Sequence, residues 1–175
     1  MTSQQIVIIG FMGSGKTTVA IELARKLNCH VLDLDDLITQ SEKRSPKEII
    51  QQDGEQAFRT IETETLRQVL AEASARVVAV GGGAWTIEEN RRLIAEHGAF
   101  TIWLDAPFAL CWRRIEAGLQ ERPLARSREM AQALYTARQP IYELTDIRIP
   151  VRENESSAEI ATKVARAVFQ HHGDR

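Results

Sequence analysis

The stretch that decides the fold is GFMGSGKT, residues 10–17, which directly follows the apolar run IVII at residues 6–9. Its three glycines can adopt backbone conformations that are closed to other residues, so that successive N–H groups turn inward around a polyphosphate. We predict that the next helix begins near Lys16. The free N–H groups and the dipole of that helix would add to the anion site. The Lys16 side chain would reach the terminal phosphates, and the Thr17 hydroxyl would ligate Mg²⁺. This P-loop therefore predicts a site for ATP and Mg²⁺ made by Gly10, Gly13, Ser14, Gly15, Lys16, Thr17 and Thr18.

Apolar runs of strand length recur along the rest of the chain. Beyond residues 6–9 they lie at residues 31–34, 77–80, 100–104 and 147–151. Each run is rich in β-branched or aromatic residues, as expected for strands that are covered on both faces. The segments between them carry apolar residues at helical intervals. Strands that alternate with helices predict an α/β fold of three layers, α/β/α, around a central five-stranded parallel sheet.

Two regions do not fit this simple alternation. Residues 36–72 are polar and mostly helical in pattern, with Pro46 and Gly54 as breakers, which is more helix than one crossover needs. We interpret the first part, about residues 36–62, as an inserted helical lobe that binds substrate. Residues 117–128 combine glycine, proline and three arginines with few apolar anchors, which is typical of a mobile loop or lid.

Length and composition limit the possible partners. The 175 residues, 43% of them hydrophobic, predict one domain over residues 1–175. A net charge of −2 gives no global attraction to nucleic acid or to an anionic membrane, and neither is expected as a partner. The two cysteines lack a CxxC spacing, so we predict neither a disulfide framework nor a zinc cluster. No targeting segment or long apolar run is present, and we expect a soluble, cytoplasmic monomer.

Two aspartates are candidates for the magnesium side of the site. P-loop enzymes commonly place an aspartate at the end of a second apolar strand, but the run at residues 77–80 continues into three glycines. Asp33 and Asp35 alternate around Leu34, so at a strand end both would point to the face on which the P-loop lies. The alternative is that an aspartate here caps the following helix, a role open to Asp36 and, taken alone, to Asp33.

Six motifs extend this reading. GFMGSGKTT, LDLDDLI, DGEQAFRTIE, VVAVGGGA, ERPLA and ARQPIYE follow one another over most of residues 5–150. In their order and spacing the chain resembles the shikimate kinase family, small P-loop kinases of the nucleoside-monophosphate-kinase type. The resemblance implies the P-loop kinase fold and the ATP- and Mg²⁺-dependent phosphorylation of the 3-hydroxyl of shikimate. That reaction belongs to the pathway that leads to chorismate and the aromatic amino acids.

The resemblance also implies roles for individual residues. Asp35 would grip substrate hydroxyls and act as the base, and Asp33 would lie near the magnesium-bound waters. Arg122 of the lid would complete a catalytic set with Asp35 and Lys16. Arg114 would meet the adenine, although Arg113 is also possible. The residues implied in substrate binding are Asp35, Arg59, Gly81, Gly82, Gly83 and Arg138.

The chemistry agrees with these roles, although each residue also has a plainer explanation. A carboxylate substrate needs a planar, two-pronged cation, which arginine supplies better than lysine. Arg59 could instead form a surface ion pair with Glu62, one helical turn on. The glycines at 81–83 could be a simple turn from strand to helix. An unshifted carboxylate is a weak base, so Asp35 would orient the hydroxyl more than deprotonate it.

The sequence departs from the family pattern at three places. Residues 43–46 read KRSP where a Gly-x-Ser-Ile element is usual, Ala79 replaces a common Ser or Thr, and the lid reads RPLARSRE. These changes leave every proposed catalytic group in place. Two alternative functions stay open: another small-metabolite P-loop kinase, such as a gluconate kinase, or an inactive nucleotide-binding regulatory module.

Overall fold

The computed structural model describes residues 4–118 and 127–173. Its strands are β1 (Ile6–Ile9), β2 (Val31–Asp33), β3 (Val77–Ala79), β4 (Phe100–Asp105) and β5 (Ile147–Pro150). The helices are α1 (Lys16–Leu27), α2 (Leu34–Glu42), α3 (Pro46–Asp53), α4 (Glu55–Glu72), α5 (Glu88–Glu96), α6 (Phe108–Ala117), α7 (Arg128–Tyr142) and α8 (Ser157–Gly173), with a 3₁₀ turn at Ala84–Thr86.

The strands form a five-stranded parallel sheet in the order β2-β3-β1-β4-β5, which confirms the predicted fold class. Strand β1 lies at the centre, where Ile6 pairs with both Val77 and Phe100 and no residue of the strand is more than 1% exposed. A strand that is paired on both edges and covered on both faces requires a continuous apolar run, which IVII supplies.

The connections between strands place the ligand-binding edge. The chain leaves β1 toward β2 but then moves back through β3 and across to β4 and β5. Because parallel crossovers are right-handed, α1 lies on one face and the later crossover helices on the other. The packing agrees, since α1 contacts α8 while α4 contacts α5. The order in which the chain adds strands reverses beside β1. Open α/β sheets bind ligands at such a switch point.

The second apolar run ends one residue earlier than predicted. Leu34 is fully buried but is the first residue of α2 and not the last of β2. The cause is Asp33, whose carboxylate accepts a hydrogen bond of 3.0 Å from the backbone N–H of Asp35 and so caps α2. Asp35 therefore lies in the first helical turn. The prediction that both aspartates alternate along a strand is wrong, and of the two candidates for the cap it is Asp33, not Asp36, that caps the helix.

The region at residues 36–72 is helical, as predicted. Pro46 opens α3 behind a Ser45 cap, in which the Glu48 carboxylate accepts from the Ser45 N–H at 2.7 Å. Gly54, with a φ of 92°, joins α3 to α4. The KRSP variant of this turn is thus compatible with an ordinary helix start. Helix α4 continues through residue 62 without a break, so the boundary of a substrate-binding lobe stays a prediction.

The predicted lid at residues 117–128 lies mostly outside the described residues, and Arg122 lies there too. On its near side α6 ends at Ala117, and on its far side Ser127 caps α7 by accepting from the Met130 N–H at 3.2 Å. The role of the lid stays a prediction. Within the part of the chain that the structure describes, no helix has both the length and the apolar character needed to cross a membrane.

Candidate active site

The P-loop leaves the central strand and wraps over the N-terminus of α1. Gly13 has a φ of 78°, and a Cβ atom added there would lie 2.6 Å from the carbonyl oxygen of Cys111. Gly15 precedes the first turn of α1, and the Lys16 ammonium donates to the carbonyl oxygen of Phe11 at 2.9 Å. The loop thus presents a lysine and the free N–H groups of a helix start to one place, which fits a polyphosphate.

Two further P-loop residues differ in their surroundings. Ser14 is fully buried, and its hydroxyl has no hydrogen-bond partner among residues 4–118 and 127–173. Thr18 is exposed on the first turn of α1. A buried hydroxyl without a partner is costly, so a bound phosphate that accepts from Ser14 would relieve the cost.

Thr17 and Asp33, the two residues predicted to serve Mg²⁺, lie side by side. The Thr17 hydroxyl donates to one oxygen of Asp33 at 2.6 Å, while the other oxygen of Asp33 caps α2. No cluster of three or more His, Cys, Asp or Glu side chains that could hold a metal occurs in the described ranges. The two oxygens of Thr17 and Asp33 fit Mg²⁺, which is usually held by one or two protein oxygens together with phosphates and water. Asp33 pairs with Ala79 across β2 and β3, so a methyl group stands beside this position.

Asp35 lies against the turn made by Gly81, Gly82 and Gly83, here called the glycine turn. A Cβ atom added to Gly81 would lie 3.3 Å from an oxygen of Asp35 and 2.8 Å from an oxygen of Glu62. The backbone of the turn therefore comes close to two carboxylates, as only glycine allows. A hydroxyl group bound near this backbone would be within reach of Asp35.

Arg59 closes the other end of the glycine turn. Its guanidinium pairs with Glu62 at 2.7 Å and with Glu55 at 3.1 Å, and its side chain is 15% exposed. A Cβ atom added to Gly83 would overlap the guanidinium. The alternative of a surface ion pair between Arg59 and Glu62 is wrong in one respect: the pair exists, but the Glu62 side chain is fully buried.

Glu62 is the site residue that sequence reasoning missed, because it was considered only as a surface partner. Desolvation raises the pKa of its carboxyl group, an effect that the nearby Arg59 opposes and the charge of Asp35 reinforces. One of its oxygens has no hydrogen-bond partner in the described part of the chain. The signal was available, since Phe58, Glu62 and Leu66 share one buried stripe of α4 at four-residue spacing. A carboxylate on an apolar stripe indicates a functional position.

Arg138 faces the middle of the glycine turn from α7. It is 6% exposed, its guanidinium carbon lies 5.9 Å from the centre of the Phe11 ring, and its Nη1 has no partner among the described residues. A Cβ atom added to Gly82 would lie 3.3 Å from that nitrogen. A buried cation with an unused donor favours a bound anion, because leaving the donor unpaired is costly.

The two candidate adenine-binding arginines point in different directions. Arg114 donates to the carbonyl oxygen of Gly13 at 3.1 Å, so it lies on the P-loop. The exposed Arg113 pairs instead with Glu153, across the gap between α6 and the segment after β5. The geometry favours Arg114 as the residue near a bound nucleotide, and its contact with adenine stays a prediction.

Comparisons with known proteins identify the family of this chain. The profile of the shikimate kinase family matches residues 12–169. This chain belongs to the shikimate kinase family. A shikimate kinase of Geobacter sulfurreducens is 40% identical over 171 residues, which cover 96% of this chain and 92% of that protein. One from Prochlorococcus marinus strain NATL2A is 36% identical over 93% of this chain and 81% of its own length.

Solved structures show the same fold. The shikimate kinase from Acinetobacter baumannii in complex with shikimate matches with a TM-score of 0.86 and 29% identity, covering 97% of this chain and 95% of that one. The shikimate kinase of Aquifex aeolicus gives a TM-score of 0.80 at 29% identity, over 97% and 98% of the two chains. As in other shikimate kinases, which are P-loop kinases, ATP and Mg²⁺ are the expected nucleotide and metal.

The assignment of Arg114 gives a first test. Arg114→Ala is expected to raise the KM for ATP about tenfold, because a cation over an aromatic face contributes about 0.5–2 kcal/mol. Arg113→Ala is the matched control, because it removes the same charge at the adjacent residue. It should leave the KM for ATP within about twofold, since exposed ion pairs contribute little. Steady-state kinetics at saturating shikimate would measure both. The reverse ranking of the two variants would show that Arg113 meets the nucleotide.

Proposed function

We propose that this chain transfers the terminal phosphoryl group of ATP to the 3-hydroxyl of shikimate and releases ADP and shikimate 3-phosphate. The observation that carries the proposal is that the P-loop and a buried arginine meet at the glycine turn. A Cβ atom added to Gly82 would lie 3.2 Å from the carbonyl oxygen of Gly10 and 3.3 Å from Nη1 of Arg138. The shikimate-bound relative from A. baumannii supports the choice of acceptor.

The acceptor side suits a small polyhydroxy carboxylate. Arg59 and Arg138, at Gly83 and Gly82 of the turn, are the two guanidinium groups that would hold the carboxylate. Arginine matches a carboxylate with two parallel hydrogen bonds, which fixes orientation as well as position. Asp35, at Gly81, would accept hydrogen bonds from substrate hydroxyls. The glycine turn thus carries cations at one end and a carboxylate at the other, as the two ends of shikimate require.

The chemistry is mostly positioning and charge stabilisation. A bond forms between the 3-oxygen of shikimate and the terminal phosphorus, and the bond from that phosphorus to the bridging oxygen of ADP breaks. Asp35 would orient the hydroxyl and receive its proton late in the transfer. Lys16 and the N-terminus of α1 would stabilise charge on the phosphoryl group. Arg122 of the proposed lid would add a further cation and help to exclude water.

Mg²⁺, when bound, neutralises phosphate charge and aligns the terminal phosphates. Thr17 would supply a hydroxyl ligand, and Asp33 would hold magnesium-bound water. The bond between Thr17 and Asp33 keeps both groups side by side at 2.6 Å.

The proposal is tested by measuring ADP release with shikimate, gluconate or a nucleoside monophosphate as acceptor. We expect turnover with shikimate only, because neither rival acceptor offers a ring carboxylate to Arg59 and Arg138 in this geometry. The two alternative functions, a gluconate kinase and an inactive regulatory module, are not favoured, because the chain belongs to the shikimate kinase family. Turnover with gluconate and none with shikimate would overturn the proposal, and so would ATP binding without turnover on any acceptor.

We also propose that the chain acts in the cytoplasm as a monomer that binds no nucleic acid. The net charge of −2 supports the last point, since nucleic-acid binding depends on a basic surface. Light scattering after size exclusion would test the oligomeric state.

A further inference from the structure

The Tyr142 hydroxyl lies at the joint between α7 and the glycine turn. Tyr142 is the last residue of α7 and is fully buried, with its ring centre 5.8 Å from that of Trp103. Its hydroxyl donates to the carbonyl oxygen of Gly82 at 2.6 Å. A short bond from a buried phenol fixes the position of the carbonyl that it meets.

Arg138, one helical turn earlier on α7, approaches the same glycine, since a Cβ atom added to Gly82 would lie 3.3 Å from its Nη1. The Tyr142 hydroxyl therefore fixes the residue of the turn that faces the Arg138 guanidinium. Burial raises the pKa of Tyr142 to about 12, which keeps the donor proton in place at neutral pH. Nη1 of Arg138 has no hydrogen-bond partner among the described residues.

Docking of α7 onto the turn does not depend on Tyr142 alone. The indole N–H of Trp85, two residues after the turn, donates to the carbonyl oxygen of Ile141 at 2.8 Å. Asn90 and Arg91 in turn donate to the carbonyl oxygens of Ala84 and Trp85, at 2.9 and 2.7 Å. The Trp85 bond ties α7 to the segment after the turn, and the Asn90 and Arg91 bonds tie that segment to α5. The Tyr142 hydroxyl therefore has a more specific effect, on the position of the Gly82 backbone relative to the Arg138 guanidinium.

We propose that Tyr142 is a positioning residue that holds the Gly82 backbone against Arg138 at the site of the substrate carboxylate. This inference rests on the proposed function, because it assigns Tyr142 to the same substrate site. Without the hydroxyl, the Gly82 carbonyl would lose its partner and the turn would lose its fixed position relative to the Arg138 guanidinium. Because the carboxylate is remote from the reacting oxygen, the loss should weaken substrate binding in the ground and transition states alike.

The test compares Tyr142→Phe with Tyr135→Phe in the full chain. Tyr135 lies on the same helix and its hydroxyl also donates to a backbone carbonyl, that of Ala106 at 3.0 Å, so the same atom is removed away from the glycine turn. Tyr142→Phe is expected to raise the KM for shikimate about tenfold, because it leaves the Gly82 carbonyl without its partner and frees the turn to move. Its kcat and KM for ATP should stay within about threefold, and Tyr135→Phe should leave the KM for shikimate within about twofold.

A double-mutant cycle with Arg138→Lys separates positioning from a general structural effect. If Tyr142 acts through Arg138, Tyr142→Phe should change the KM for shikimate by less than about twofold in the Arg138→Lys background. Additive effects would overturn the inference, and so would an unchanged KM in the single variant. Turnover of shikimate by the unaltered chain is measured first, so a failure of the proposed function is seen separately.

A second measurement does not require the Tyr142 variant to fold. The chain has two tyrosines, so Tyr142 is the only tyrosine in Tyr135→Phe. In that variant, labelled with ¹³C at the tyrosine Cζ, shikimate should shift the Tyr142 resonance because the carboxylate draws on the Arg138 guanidinium. ADP with Mg²⁺ should shift it much less. No shift with saturating shikimate would overturn the inference.

Discussion

Asp35→Asn is expected to lower kcat for shikimate phosphorylation by about 10²- to 10⁴-fold, the range usual for loss of a general base. Asparagine keeps the size of the side chain and the helical position of residue 35. It cannot receive the proton of the 3-hydroxyl, and its amide cannot replace a carboxylate beside Gly81 and Glu62. The KM for ATP should change by less than about threefold, because the P-loop is untouched. Steady-state kinetics with ADP detection would measure both constants.

Asp36→Asn is the matched control for this prediction. Asp36 is the next residue on the same helical turn and is exposed, and Asp33, not Asp36, caps α2. The control should therefore keep kcat within about twofold, as surface substitutions usually do. Full turnover by Asp35→Asn would show that the carboxylate neither receives the proton nor orients the hydroxyl.

Gly13→Ala is expected to reduce kcat/KM for ATP by more than about 10²-fold, since a displacement of about 1 Å in a positioned site can cost that much. The added Cβ would lie 2.6 Å from the backbone oxygen of Cys111 and 3.2 Å from its carbonyl carbon. Neither atom can move without shifting the start of α6, so the P-loop itself must move. Calorimetric titration with ADP and Mg²⁺ should show a parallel loss of affinity.

Gly98→Ala separates this steric effect from simple backbone strain. Gly98 also has a positive φ, 63°, but an added Cβ there has nothing within 4 Å. The variant should lose about 1 kcal/mol of stability, the cost of a left-handed conformation, and keep its kinetics with ATP. Equal losses of ATP affinity in the two variants would mean that the crowding against Cys111 is unimportant.

The parallel sheet and the P-loop were predictable because their signals are local. Residues 6–9 form a continuous apolar run, and GFMGSGKT carries its glycines, lysine and threonine within eight positions. Short-range sterics and hydrogen bonding fix such segments before any tertiary contact is made. The start of α1 at Lys16 was predicted for the same reason.

The junction at Asp33 and Asp35 was harder, because two local rules compete there. Alternation along a strand and capping of a helix both suit the sequence VLDLDD. The outcome depends on β2, which ends at Asp33, where the strand pairs with Ala79 of β3. Since that partner lies 46 residues away along the chain, no local pattern reveals where the strand ends.

The buried state of Glu62 was not predictable from its residue type. Glutamate is almost never fully buried unless it is paired, so a helical glutamate next to an arginine is first read as a surface residue. Its burial arises because the glycine turn, which follows β3, packs onto α4 close to Arg59. Only this long-range approach turns an ordinary i, i+3 pair into part of the site.

The absence of side chains along the glycine turn also affects how drug resistance could arise. An inhibitor that binds the backbone of Gly81–Gly83 contacts atoms that every amino acid shares, so a substitution can weaken it only by adding bulk. A Cβ at Gly81 would lie 2.8 Å from the Glu62 carboxylate, and one at Gly83 would overlap Arg59. Escape by either route would disturb Arg59, which is proposed to hold the substrate carboxylate, or Glu62, the carboxylate that pairs with it. Viable resistance mutations are therefore expected at the residues that surround the glycine turn and not within it.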